Sequence, residues 1–214
     1  MSIGFGLSSW GNILTCFTAM HGWDKSQENA WSITVTSVTN VGVTIGALFS
    51  GAFTKYGKKR MILVLNIILL IAIGICMVNN IYVITFGRFF WGLAAGSFTV
   101  MCPKYLNEFV PIEKKGPYGA LNQLMLTVGI MVPACLSLAI PADPTAALDL
   151  KPNDFWVTGY WRIIWLSAAL SGGLQFLLLA TCFNYETPVD LLRNGEDEKL
   201  DELFRKMYST EEAV

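Results

Sequence analysis

The chain has 214 residues, of which 53% are hydrophobic and only 14% charged, and its formal net charge is −1. A soluble domain carries about 25% charged residues, so this composition excludes one and places much of the outer surface in lipid. The balanced charge argues against a nucleic-acid partner. Five scattered cysteines and a single histidine, His21, argue against a metal centre, a Ser-His-Asp triad or a resident cofactor, and so against an enzyme.

Six hydrophobic segments follow in order, roughly 2–20, 32–54, 61–78, 81–102, 118–140 and 160–183. Each is near the ~20 residues that carry a helix across about 30 Å of hydrocarbon. A spanning backbone must satisfy its own hydrogen bonds, so each is predicted to be helical. The first, SIGFGLSSWGNILTCFTAM, holds Ser8, Ser9, Asn12 and Thr15, which are expected to face a protein interior or a water-filled cavity. No Lys or Arg precedes Lys25, so it lacks the basic n-region of a cleaved signal peptide and is expected to be retained. The second segment carries Gly42 and Gly46, and the fourth Gly92 and Gly96, a small-residue spacing that lets helices approach closely. The second closes on a tight turn at Gly57 amid Lys55, Lys58, Lys59 and Arg60. The third, MILVLNIILLIAIGICMV, is the plainest span. Trp156, Trp161 and Trp165 at the start of the sixth read as an interfacial aromatic belt.

Charge sets the expected orientation. Eleven of the 15 Lys and Arg lie in 54–60, in 103–117 and in the tail. Lys25, Arg88, Lys151 and Arg162 lie on the other side, the two arginines at outer helix ends. The excess puts the first set, with both termini, in the cytoplasm or its organellar equivalent. After the sixth span, Leu200, Leu203, Phe204 and Met207 recur at helical spacing. Glu196 and Asp197 before them, with Arg205 and Lys206 near the end, suit the helix dipole. This predicts a short amphipathic helix on the membrane surface or on a partner. The predicted fold is an all-α membrane protein, with a six-helix bundle over 1–184 and a cytoplasmic amphipathic tail over 185–214.

The hairpin between the fourth and fifth spans, CPKYLNEFVPIEKKGPYGALNQL, carries more polar residues than topology needs. Pro103, Tyr105 and Glu108 form P-x-Y-x-x-E, followed by Pro111, Lys114, Lys115, Gly116 and Gln123. Glu108 and Lys115 sit at facing helix ends, where opposite charges can pair. Gln123 falls one to two turns into the fifth helix, where an amide in apolar surroundings needs a partner.

In this order the residues resemble the amino-terminal half of a sugar transporter of the major facilitator superfamily. Its G-R-x-x-x-G is matched by Gly87, Arg88 and Gly92, its P-x-Y-x-x-E in full, its P-x-x-x-R-G by Pro111, Lys115 and Gly116, and its Q-L-x-x-x-x-G by Gln123, Leu124 and Gly129. Trp161-Arg162 and YETPVDLL resemble the opening of helix six and the P-E-S-P-R-x-L after it. The resemblance implies half of a twelve-helix alternating-access carrier in a lipid bilayer. Gln123, with Asn122 and Asn12, would bind a hexose or related polyol. Glu108, Lys115, Lys58, Lys59, Arg60 and Glu186 would form a cytoplasmic charge network. Protein partners are expected where helices 7–12 of the family sit.

The departures are informative. Thr54 replaces the family's acidic residue, which leaves the basic turn without its expected carboxylate, and Lys115 replaces an arginine. Phe5-Gly6-Leu7-Ser8 stands where proton-coupled members carry an Asp, and no Asp or Glu falls within the six segments, so a facilitative carrier is expected. Three readings stay open: half of a two-part hexose-type carrier, a non-transporting subunit of a larger membrane complex, and part of a longer carrier.

Overall fold

The computed structural model describes residues 2–54, 57–110, 115–140, 159–181 and 186–207. Lys55, Pro111, Lys114, Lys151, Trp156 and Cys182 lie outside these, as do residues 208–214. Six long helices form the bundle: α1 (Ser2–His21), α2 (Lys25–Phe53), α3 (Lys58–Cys76), α4 (Ile81–Phe109), α5 (Lys115–Ser137) and α6 (Tyr160–Thr181). Two short ones follow, α7 (Pro188–Asn194) and α8 (Asp197–Met207).

Helices α2 to α6 are each long and apolar enough to cross a membrane. Helix α1, predicted as a sixth span, falls outside that group, in keeping with its polar residues. Ser9 is fully buried, and Asn12 Nδ2 donates to Ser8 Oγ at 3.2 Å on a half-buried face. A Cβ on Gly4 would strike the Leu126 carbonyl and Ile130 of α5, so α1 begins alongside the middle of α5 rather than at its end.

Two helices outrun their hydrophobic segments. Helix α2 starts at Lys25 rather than 32, where the Asp24 N–H donates to Gln27 Oε1 (3.4 Å) and the Ser26 hydroxyl to Asp24 Oδ2 (3.1 Å). The first bond satisfies the free N–H of the capping residue and the second steadies the Asp24 carboxylate, so the exposed polar turns stay helical beyond the apolar stretch. Helix α4 runs on to Phe109 through Pro103, whose ring removes one internal hydrogen bond.

Helices α2 and α4 are interlocked by their glycines. A side chain on Gly42 would meet the Phe89 carbonyl and one on Gly46 the Leu93 carbonyl. Gly92 and Gly96 meet Thr39 and Val43 of α2 in the same way, so the two backbones touch. The Ser97 hydroxyl bonds across to the Gly46 carbonyl at 3.0 Å. Around this contact the core gathers Phe5, Ile13 and Phe17 of α1, Leu69 of α3, Trp91 and Phe98 of α4, and Trp161 and Trp165 of α6. Leu48, Leu170, Leu174 and Leu177 stay exposed, as a lipid-facing surface requires.

Helix α8 lays part of its apolar face on the chain itself. Leu200 and Leu203 are buried against Leu191 of α7, with Phe109 of α4 and Phe204 packed beside them. The turn between α7 and α8 is set by Gly195 at φ +70°, whose N–H bonds to the Leu192 carbonyl.

Candidate functional site

Charged residues from three helices converge at the N-terminus of α3. Gly57 there adopts φ +94°, a backbone that side-chain-bearing residues rarely enter, and this turns the chain sharply into the helix. The first N–H groups of a helix lack internal partners and its dipole favours a carboxylate. Asp190 of α7 supplies it: the Lys58 N–H donates to Asp190 Oδ2 at 3.0 Å. The Lys58 ammonium donates to Asp190 Oδ1 and also pairs with Glu108 Oε2 of α4, each at 2.9 Å. One lysine thus ties α3, α4 and α7 together. The Lys58 and Asp190 side chains are only 7% and 6% exposed.

Local sequence explains how Asp190 arrives. Thr187 caps α7, its hydroxyl accepting from the Asp190 N–H at 3.3 Å, and Pro188 occupies the first turn, where its missing N–H costs nothing. Burial pushes the Asp190 carboxyl up. Hydrogen bonds from the Lys58 backbone and ammonium and from Thr187 outweigh it and hold the group below its ordinary 3.8. Glu186 lies beside Gly57 and differs. Burial dominates and raises its pKa, against the lowering pull of Arg60 and Lys59. Its ion pair with Arg60 is long, 3.4 Å, and the Arg60 side chain is 77% exposed, so that pair contributes little.

Lys58, Lys59, Arg60, Glu108 and Glu186 are therefore brought together. Lys115 is not among them. It is exposed at the start of α5, and Glu108 pairs with Lys58 instead. Asp190 was missing from the prediction, although the Thr-Pro-Val-Asp order is a helix-start signal that could have flagged it. It also answers the Thr54 departure, because the basic turn does have a carboxylate partner, supplied from α7.

The other predicted residues are spread out. Gln123 and Asn122 are exposed on the early turns of α5. Asn12 is half-buried and bonded to Ser8. Arg162 stands at the start of α6, over the Trp161 ring and within 3.4 Å of the Met77 carbonyl. Arg88 is not at a helix end. It is 2% exposed inside the bundle, and its Nη1 donates to the Gly6 carbonyl at 3.0 Å.

The sequence profile of the family described as "Sugar (and other) transporter" matches residues 5–214. The chain belongs to this sugar transporter family. Among curated members, it is 31% identical over 172 residues to hexose transporter 1 of Plasmodium vivax (strain Brazil I), covering 80% of this chain and 34% of that protein. With the glucose transporter GlcP of Staphylococcus epidermidis it shares 30% over 180 residues, covering 83% of this chain and 36% of the other. The chain therefore spans about a third of the length of these sugar transporters. The fold superposes on the xylose transporter XylE from E. coli, in its partially occluded inward-open form, with a TM-score of 0.75 and 18% identity. That match covers 99% of this chain and 55% of XylE. The sugar transporter bundle seen here thus has the fold of about half a major facilitator carrier.

Proposed function

We propose that the chain acts as the amino-terminal half of a facilitative hexose-type carrier, with the basic end of the bundle cytoplasmic. The family match over residues 5–214 carries this reading. Two features of the chain support the details. Gln123 and Asn122 are exposed on α5, free to offer amide donors and acceptors to sugar hydroxyls. Helices α1, α3 and α6 contain no carboxylate, and Glu28 and Glu108 lie at the ends of α2 and α4, so no acid in the described spans is placed to carry a proton. Alternating access requires a second six-helix half moving against this one.

The test is uptake of labelled hexose by proteoliposomes holding the chain together with a second half, helices 7–12 of a hexose carrier. Uptake should run down the sugar gradient and ignore an imposed pH gradient. Gln123→Ala should raise KM about tenfold, the loss expected for one well-made hydrogen bond. Folded protein that moves no hexose with any second half would overturn the carrier reading in favour of a non-transporting subunit. Uptake driven by a pH gradient would overturn the facilitative one.

A further inference from the structure

Among the described residues, the buried Arg88 guanidinium has no carboxylate beside it. Helices α1, α3 and α6 hold no Asp or Glu, and the one acid on α4, Glu108, lies 20 residues further along, about 30 Å at 1.5 Å per residue. An isolated charge inside a membrane bundle is costly unless something answers it. Three indole rings answer part of it. The guanidinium carbon stands 5.2 Å from the Trp165 ring centroid, 5.4 Å from that of Trp91 and 5.9 Å from that of Trp10.

What remains around it is a set of hydrogen-bond donors. Nη1 reaches the Gly6 carbonyl, but the Nε–H of Arg88 finds no acceptor. The Trp10 Nε1–H and the Ser9 hydroxyl are buried without a partner as well. Ser9 and Trp10 follow Gly6 at i+3 and i+4, on the same face of α1 that meets Arg88. Unpartnered buried donors are individually costly, and three beside one cation share a single remedy.

We infer that Arg88, Ser9 and Trp10 form a buried binding site for a small inorganic anion of halide size. The ligand is negative because the field is positive and the free Arg88 Nε–H and Trp10 Nε1–H can only donate, with the Ser9 hydroxyl able to donate beside them. It must be small because Trp10, Trp91 and Trp165 are packed around the guanidinium, each 3% exposed or less. Nothing in this site overlaps the Lys58 hub or Gln123.

The rings that line the site also report on it. The full chain in detergent is titrated with iodide at constant ionic strength, balanced by gluconate, while tryptophan fluorescence is followed. Saturable quenching that chloride reverses by competition is expected. Ser9→Ala and Trp10→Phe, which preserve the packing, should each weaken the chloride competition constant about tenfold. Arg88→Gln should abolish it. Should Arg88→Gln fail to fold, the two milder variants still decide the matter. Quenching that is only linear and collisional and indifferent to chloride would overturn the proposal, as would competition constants unchanged in both Ser9→Ala and Trp10→Phe.

Discussion

Replacing Gly46 by Ala adds one methyl group at the place where α2 and α4 touch. The new Cβ would overlap the backbone of Leu93 rather than the end of a flexible side chain, so the two helices must separate. Overpacking of this kind costs about 1–3 kcal/mol. Separation also stretches the 3.0 Å bond from Ser97 to the Gly46 carbonyl, worth about 0.5–1.5 kcal/mol. Against this, Ala favours a helix interior over Gly by about 0.5–1 kcal/mol. The net expectation is a loss of about 2 kcal/mol, or about 4–8 °C in Tm for a chain of this size. Gly51→Ala and Gly74→Ala are the controls. Each sits in a long helix with nothing within 4 Å of its added Cβ, so only the propensity gain applies and Tm should rise by about 1–3 °C. Melting in detergent, followed by a thiol-reactive dye that reports release of buried Cys16 and Cys76, reads all three. If Gly46→Ala melts with Gly51→Ala, the interlock is not a tight backbone contact and the reasoning fails.

Lys58→Met should destabilise by about 3–5 kcal/mol, because it leaves Glu108 and Asp190 facing each other without their shared cation. Adding Glu108→Gln and Asp190→Asn should restore most of the loss in the same melt, and no restoration would mean that Lys58 acts through something other than charge. Asp190 titrates below its ordinary 3.8 in the folded chain, so its contribution is complete above that value and disappears as pH falls through the folded pKa. An acid melt series on Asp190→Asn should therefore lack this loss, and a slope equal to that of the parent chain contradicts the assignment. Leu203→Ala should cost about 2–4 kcal/mol of local packing and speed proteolytic cleavage near Gly195. Cleavage at the parent rate would show that α8 is not held by that leucine.

Hydropathy and small-residue spacing made most of the bundle legible. The six helices fall where the apolar segments do, and the glycine pairs mark the closest contact. Helix ends were less legible because a helix outlasts its hydrophobic stretch: α2 keeps polar turns through its caps, and α4 passes Pro103 without stopping. The site was half visible. Lys58, Glu108 and Glu186 stand out as charges beside apolar runs, whereas Asp190 sat in YETPVDLL, a stretch read for its family resemblance and for Glu186 but not for this second carboxylate. Its partner is 132 residues away, a separation no local pattern reports. Arg88 was seen as a charge near a helix start, but its burial among three tryptophans depends on how α1 and α6 pack against α4. Gln123 lies on a face of α5 that is exposed in this chain, a placement the apolar segment around it does not report.

That separation of 132 residues also sets an order of events during synthesis. At about 5–20 residues per second, Asp190 is made roughly 7–26 s after Lys58. Until then the ammonium at the turn lacks this partner, and an unneutralised basic turn resists crossing the bilayer. The same lysine thus serves twice, first as a topological signal while its charge is open, then as a structural tie once α7 arrives. Moving Asp190 ahead of α3 in the gene would keep the ion pair and lose the delay, so insertion fidelity and final stability would part company.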